Sequence, residues 1–151
     1  MRRTDKRVRL CTCLICLVLI FIWGNSLMNA EASSRISGWV GRLLGSILNL
    51  SAEETEGGHG LLRKLAHFSE FALLGLLLCW RLGMAGKAGK ELVCLTMAGG
   101  LAAACVDETI QIFVSGRSSS LIDVWIDTGG ALAGMIFLIL GHHFVITKHG
   151  K

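Results

Sequence analysis

The chain has 151 residues, a formal net charge of +4 and a hydrophobic content of 52%, and only 17% of its residues are charged. This balance is more apolar than that of an ordinary soluble domain. The basic residues stand at the ends of apolar runs and form no stripe interleaved with aromatics, which excludes nucleic acid as a partner. The composition therefore indicates an integral membrane protein.

Four segments are long and apolar enough to cross a bilayer, which takes about 20 mostly apolar residues in a helix. They are Val8–Met28, Ala66–Met84, Leu92–Val114 and Leu121–Ile146. The absence of Pro and the 19 Gly favour long helices in close contact over short strands. We predict an all-α integral membrane protein with four transmembrane helices: a basic N-terminus at 1–7, a membrane domain at 8–147 and a tail at 148–151.

The distribution of Lys and Arg predicts how these helices are oriented. Four spans place both termini and the loop after the second helix on one side, which carries ten Lys and Arg residues against five on the other. By the positive-inside rule both termini are cytoplasmic, in a multi-pass protein of the cell inner (plasma) membrane. A cleavable signal peptide ending near Ala30-Glu31-Ala32 is the alternative, but the first apolar run of about 18 residues is longer than the usual 7–15.

The segment between the first two helices, residues 33–60, contains too few apolar residues to cross a membrane. Ile36, Val40, Leu43 and Leu44 recur at helical spacing, with polar residues largely on the rest of the turn. This pattern predicts an amphipathic helix over residues 33–50 on the outer face of the membrane, and the glycines and acids at 51–60 predict a flexible loop after it. A short lid packed over the bundle fits the same pattern. Trp23, near the end of the first helix, is placed to act as an interfacial anchor.

The six cysteines and the C-terminal histidines have structural explanations. All six Cys lie inside or at the edge of predicted spans, where they act as small apolar residues. Cys13 and Cys16 form a C-x-x-C, but a redox motif needs an exposed thiolate of low pKa. The adjacent His142 and His143 stand at a helix end where a metal site is seldom formed.

Polar residues from three stretches of sequence are predicted to reach the same depth of the membrane. The second helix opens with polar residues, the third ends with them, and the fourth begins with them after a short hairpin loop. All lie within about two helical turns, or about 11 Å, of the outer boundary. The residues are Lys64, His67, Glu70, Asp107, Glu108, Gln111, Arg117, Asp123 and Asp127. Each alone could be a cap, an interfacial cation or a pair that stabilises the bundle, but their common depth predicts a shared polar pocket.

Two short patterns in the fourth helix carry structural predictions. Ser120-x-x-Asp123 has the form of a capping box at the start of the helix, with Ser119 as an alternative cap. Gly130-x-x-x-Gly134 is a small-x-x-x-small pattern that allows close contact with a neighbouring helix.

Three blocks of this polar set resemble the signature of the VanZ-like family. They are Arg63-Lys64-x-x-His67-Phe68-x-Glu70-Phe71, Asp107-Glu108-x-x-Gln111-x-Phe113 with Gly116-Arg117, and Asp123-x-x-x-Asp127-x-x-Gly130. Phe71 stands where Tyr is common and Ser115 where a Pro often precedes Gly-Arg, and neither departure changes a charged position. The resemblance implies a bacterial cell-envelope membrane protein linked to low-level resistance to glycopeptide antibiotics such as teicoplanin. It supplies a phenotype and no biochemical activity.

Two functions are consistent with the predicted pocket. In the first, it binds the headgroup of a membrane lipid or a lipid-linked cell-wall precursor without chemistry, with Lys64 and Arg117 facing phosphate, and needs no cofactor. In the second, the protein is an intramembrane enzyme acting on a lipid-linked envelope substrate, with a divalent metal held by His67, Glu70, Asp107 and Asp127. No nucleophile motif is present, so no catalytic residue is assigned and the first function is preferred. A transporter is disfavoured because the polar groups are predicted at one surface and not at the midplane.

Overall fold

The computed structural model describes residues 2–28, 39, 59–117 and 119–149, and these form four long helices. They are α1 (Arg2–Ser26), α2 (His59–Met84), α3 (Gly89–Ile112) and α4 (Leu121–His149). Each contains an apolar stretch of 21 to 24 residues, and about 20 residues suffice to cross a bilayer. No strand occurs among the described residues. The prediction of an all-α protein with four membrane-spanning helices is confirmed.

The helices extend beyond the apolar segments that the sequence marks. α1 begins at Arg2 and not at Val8, and α2 begins at His59 and not at Ala66. Hydropathy detects only the apolar part of a helix, whereas Lys, Arg and Glu are themselves good helix formers and continue it into the polar region. The predicted amphipathic segment at 33–60 lies outside the described residues, apart from an exposed Trp39 and the first residues of α2.

The closest helix contact joins α2 and α4, and glycines make it possible. A Cβ at Gly130 or Gly134 would overlap the backbone carbonyls of Phe68 and Ala72 on α2. Gly75 meets the backbone of Ala131 in the same way from the other helix. Small residues let helix backbones approach in a bilayer, where dispersion contacts and not water exclusion drive helix association. The predicted Gly130-x-x-x-Gly134 contact is confirmed, and its partner is α2.

A small apolar core joins α1, α2 and α3. Ile22, Phe71, Leu74 and Ala104 are fully buried in it. Trp23 packs against this core, and its indole N–H donates a hydrogen bond of 3.4 Å to the carbonyl of Ala103 on α3. The indole N–H is therefore bound to a backbone acceptor inside the bundle, and the role of Trp23 as an interfacial anchor stays a prediction.

The outer surfaces of the helices are apolar, as lipid contact requires. Leu10, Ile20, Trp125 and Phe137 are among many large apolar side chains with more than half of their surface exposed. A soluble monomer rarely exposes apolar surface on this scale. All six cysteines lie in described helices and are free thiols, in agreement with their interpretation as apolar residues.

The connections make the helices alternate in direction. α2 and α3 are joined by a tight turn in which Gly86 has φ of 82° and Gly89 has φ of 54°, in the left-handed region that favours glycine. The link between α3 and α4 contains Gly116 with φ of 79°. The start of α2, the end of α3 and the start of α4 therefore lie at the same end of the bundle, and hydrogen bonds from Asn25 and Ser26 place the end of α1 there too.

Candidate functional site

The common end of the four helices carries all nine polar residues that the sequence singles out, together with two from α1. We refer to this set as the polar end: Asn25, Ser26, Lys64, His67, Glu70, Asp107, Glu108, Gln111, Arg117, Asp123 and Asp127. Hydrogen bonds or ion pairs link α1 to α2, α1 to α3 and α2 to α4 within it. The structure thus brings together, in space, side chains that are up to about a hundred residues apart in the chain.

Asp107 on α3 is the most deeply buried acid of the polar end, with no exposed surface. The hydroxyl of Ser26 donates to its Oδ1 at 2.7 Å, and the amide of Gln111 donates to its Oδ2 at 2.8 Å. Asp107 and Gln111 are four residues apart, so they share one face of α3. The carboxylate is therefore held by one donor from its own helix and one from α1.

His67 and Glu70 on α2 form a second layer beside Asp107. Nδ1 of His67 lies 3.7 Å from Oε2 of Glu70, and both side chains are only 14% exposed. The other oxygen of Glu70 accepts a hydrogen bond of 3.1 Å from the amide of Asn25. At 3.7 Å the imidazole and the carboxylate face each other without a hydrogen bond.

Glu108 occupies a position that the sequence assigns to Asp123. The backbone N–H of Ser120 donates to Oε2 of Glu108 at 2.8 Å, while the hydroxyl of Ser120 accepts from the N–H of Ile122 at 3.2 Å. Ser120 therefore caps α4 as predicted, but the reciprocal arm of the capping box comes from α3. The prediction that Asp123 completes the box is wrong, because a buried acid from a neighbouring helix reaches the same N–H.

Asp123 instead forms an ion pair across two helices. Its Oδ1 lies 3.3 Å from the ammonium of Lys64, which is 43% exposed at the rim of the polar end. Apart from the facing His67 and Glu70, no other ion pair occurs at this end among the described residues. Among the described residues, Asp107 and Asp127 are thus buried without a Lys or Arg within ion-pair distance, so ion pairs alone do not hold the bundle together.

Arg117, in the link between α3 and α4, binds the end of α1. Its Nε donates to the carbonyl of Met28 at 3.2 Å, and its Nη2 donates to the carbonyl of Asn25 at 3.1 Å. The last carbonyls of a helix lack intrahelical partners and carry partial negative charge, so a guanidinium stabilises them. Burial, and next the nearby Arg63, lower the pKa of Arg117, but an arginine remains protonated at neutral pH. This use of the side chain is one that the sequence does not predict.

A narrow cleft opens between α2, α3 and α4. It leaves about 10 Å³ for a water-sized sphere, which is roughly the volume needed for one water molecule. The residues that line it are Arg63, Lys64, His67, Glu108, Gln111, Asp123, Ile126 and Asp127. The cleft can therefore admit a small group or an ion, and the two basic residues of α2 flank it.

Part of the metal set considered from the sequence is brought together here. One donor atom each from His67, Asp107 and Asp127 lies within 4.8 Å of the other two. Glu70, the fourth member of that set, is not in this group and faces the imidazole instead. Three of the four residues are therefore positioned to share a ligand atom or ion, and the fourth is positioned to orient one of them.

The contribution of α1 is what the sequence does not predict. Asn25 and Ser26 supply a donor each to Glu70 and Asp107, although the sequence indicates no chemistry in this helix. A signal was present, since these two residues form the one polar pair near the end of an otherwise apolar run. Their depth matches that of the other polar residues once the helices alternate in direction.

Comparison with known proteins supplies a family and nothing finer. A family model described as VanZ/LLP1 matches residues 11–142, which overlaps all four helices and includes every residue of the polar end. Neither a curated protein nor a solved structure matches the chain.

Proposed function

The chain belongs to the VanZ/LLP1 family, and from that premise we propose that it is a bacterial envelope protein that lowers susceptibility to glycopeptide antibiotics such as teicoplanin. The polar end is the part of the molecule proposed to act. It would bind the headgroup of a membrane lipid or of a lipid-linked cell-wall precursor, and so alter how the antibiotic reaches its target.

The observation that carries this proposal is the burial of acids without basic partners. Asp107 is fully buried and Asp127 is 2% exposed, yet neither contacts a Lys or Arg among the described residues. Ionisable groups at membrane depth cost about 2.5–3.5 kcal/mol each at a helix centre. Asp107 is bound by Ser26 and Gln111 inside the bundle, but Asp127 lines the cleft without an ion-pair partner among the described residues, which favours a binding role.

The rim of the cleft supplies the complementary charge. Arg63 and Lys64 stand side by side at the start of the membrane-spanning part of α2 and flank the cleft. Such a pair attracts phosphate, whereas the acids beneath suit the amine or sugar hydroxyls of the same ligand. Because the cleft is narrow, the bulk of a headgroup would lie at its mouth. Arg117 was expected to face phosphate too, but two of its nitrogens already bind α1 carbonyls.

The proposed orientation places this end on the outer side of the plasma membrane. The termini and the α2–α3 turn carry ten of the fifteen Lys and Arg residues, and this bias predicts the cytoplasmic side. The polar end would then face the compartment in which cell-wall precursors are assembled and glycopeptides act.

The test compares teicoplanin tolerance of a sensitive bacterial host that expresses the chain or its variants at equal membrane abundance. Asp107→Asn removes a buried charge from the polar end, while Glu91→Gln removes an exposed one from the opposite end of the same helix. We expect tolerance to be lost with Asp107→Asn and kept with Glu91→Gln. Unchanged tolerance with Asp107→Asn would exclude a role for the polar end.

Headgroup binding has its own measurement. Purified protein in nanodiscs is titrated with vesicles that contain either phosphatidylglycerol or an undecaprenyl-linked wall precursor. The double variant Arg63→Gln, Lys64→Gln should reduce binding at least tenfold, since two phosphate-facing cations are lost. Equal binding by the variant and the wild type would contradict a phosphate site at the rim.

One observation favours a second candidate, an intramembrane enzyme acting on a lipid-linked envelope substrate. His67 stands between Glu70 and the buried acids of α3 and α4, an arrangement suited to a general base oriented by a carboxylate. Incubation of the purified protein with a lipid-linked wall precursor tests it by mass spectrometry. Product that appears with the wild type and disappears with His67→Ala would establish the enzyme, and an unconverted substrate would exclude it.

A further inference from the structure

The interior of the cleft has the dimensions of a single ion. With about 10 Å³ of space, it can hold one water-sized particle. His67 and Asp127 line it, and one donor atom of each lies within 4.8 Å of the other and of a donor atom of the buried Asp107. Ligands about 2.1 Å from one Zn²⁺ in tetrahedral geometry are about 3.4 Å apart. Small side-chain rotations would therefore bring these three donors onto one ion.

The neighbours of these donors form the outer shell that metal sites require. A metal-bound histidine usually directs its other ring nitrogen at a carboxylate, and metal-bound carboxylates accept further hydrogen bonds. Nδ1 of His67 faces Glu70, which leaves Nε2 for an ion. Asp107 is held at both oxygens by Ser26 and Gln111. Each of these contacts orients a donor without using all of its lone pairs.

An independent observation comes from Glu108, which also lines the cleft. Glu108 is 4% exposed, and its Oε1 is buried without a hydrogen-bond partner among the described residues. The other oxygen is bound to the N–H of Ser120. A buried polar atom without a partner is costly, so this oxygen indicates a ligand in the cleft.

We propose that one divalent transition-metal ion binds at the cleft through His67 and Asp127, which line it, and the adjacent buried Asp107. One nitrogen with several carboxylate oxygens suits Zn²⁺, Mn²⁺ or Fe²⁺, whereas Ca²⁺ and Mg²⁺ prefer oxygen alone. The ion would link α2, α3 and α4 beneath the rim. This site goes beyond the glycopeptide proposal and does not depend on it.

The experiment measures metal binding by the full chain in detergent after removal of metals by a chelator. A background of His142→Ala and His143→Ala removes adjacent histidines near the C-terminus that could hold a metal by themselves. Zn²⁺ is titrated calorimetrically, and Mn²⁺ is followed by electron paramagnetic resonance, which detects a coordinated imidazole nitrogen. We expect one equivalent of each ion and a nitrogen coupling that is absent in His67→Ala.

Three variants decide the outcome. Asp127→Asn removes a donor and should weaken Zn²⁺ binding at least a hundredfold, whereas Glu70→Gln removes only the orienting carboxylate and should weaken it about 10–100-fold. Glu91→Gln, at the other end of α3, should bind as the background does. If Asp127→Asn does not fold, Glu70→Gln and the nitrogen coupling still decide. Absence of bound metal, or binding unchanged in Glu70→Gln and without nitrogen coupling, would overturn the proposal.

Discussion

The two ends of α3 each carry a carboxylate, and the two carboxylates have opposite environments. Glu91 is 56% exposed and pairs with Lys87, four residues away, in a contact that water surrounds. Asp107 is fully buried and is bound by Ser26 from α1 and by Gln111. The first contact is local and solvated, so it contributes little to stability. The second exists only because other helices arrive at the same depth, so the fold and the polar end depend on each other.

The largest expected effect comes from breaking the helix contact that assembles the polar end. Gly134→Leu would push a side chain into the backbone of Ala72 and separate α2 from α4. Overpacking usually lowers the free energy of unfolding by about 1–3 kcal/mol. Because the neighbour of Gly134 is rigid backbone, this variant should reach or exceed the upper value. Thermal unfolding in detergent measures it. Gly141→Leu on the same helix is the control, because a Cβ added at Gly141 would meet no neighbouring helix within 4 Å. This variant should unfold as the wild type does.

The next effect compares the two carboxylates of α3 directly. Asp107→Ala leaves the hydroxyl of Ser26 and the amide of Gln111 without their acceptor, which costs about 1–3 kcal/mol in unfolding free energy. Glu91→Ala should change it by less than about 0.5 kcal/mol, as most surface substitutions do. The same thermal unfolding measurement applies to both. Equal effects of the two variants would contradict the contrast between the ends.

A smaller effect is expected from the arginine that binds the end of α1. Arg117→Lys keeps the charge but loses the fork that reaches two carbonyls, at a cost of about 1 kcal/mol. Hydrogen exchange of the amides of Leu27 and Met28 should become faster, because the end of α1 is released. Arg81→Lys serves as the control, since Arg81 binds the exposed hydroxyl of Thr12 at the other end. Unchanged exchange in Arg117→Lys would show that the carbonyls need no cap.

The smallest effect distinguishes the two lysine pairs. A double-mutant cycle on Lys64 and Asp123 should give a coupling energy of about 1 kcal/mol, because Asp123 is only 23% exposed. The corresponding cycle on Lys87 and Glu91 should give about 0.3–0.5 kcal/mol, typical of an exposed i,i+4 pair. Added salt should weaken the second more than the first, since screening acts most on exposed charges. Equal coupling in the two cycles would remove this distinction.

The errors of the sequence-based predictions share one cause. The capping box assigned to Ser120 and Asp123 was wrong because Glu108 reaches the same N–H. The hydrogen bond of the Trp23 indole to a carbonyl of α3 was not predicted either. In each case the sequence shows a donor with a suitable local partner, while the folded chain offers a partner from another helix. Local spacing cannot rank these partners, since their distances depend on how the helices are rotated.

The number of helices, their apolar lengths and the common depth of the polar residues followed from the sequence by itself, because the thickness of a bilayer imposes them. Which face of each helix turns inward was decided by tertiary structure. Lipid is as apolar as leucine, so hydropathy does not distinguish a lipid-facing side from a buried one. Close packing of α2 and α4 at Gly75, Gly130 and Gly134 sets that rotation, and it thereby places His67 beside Asp127 and Asp107.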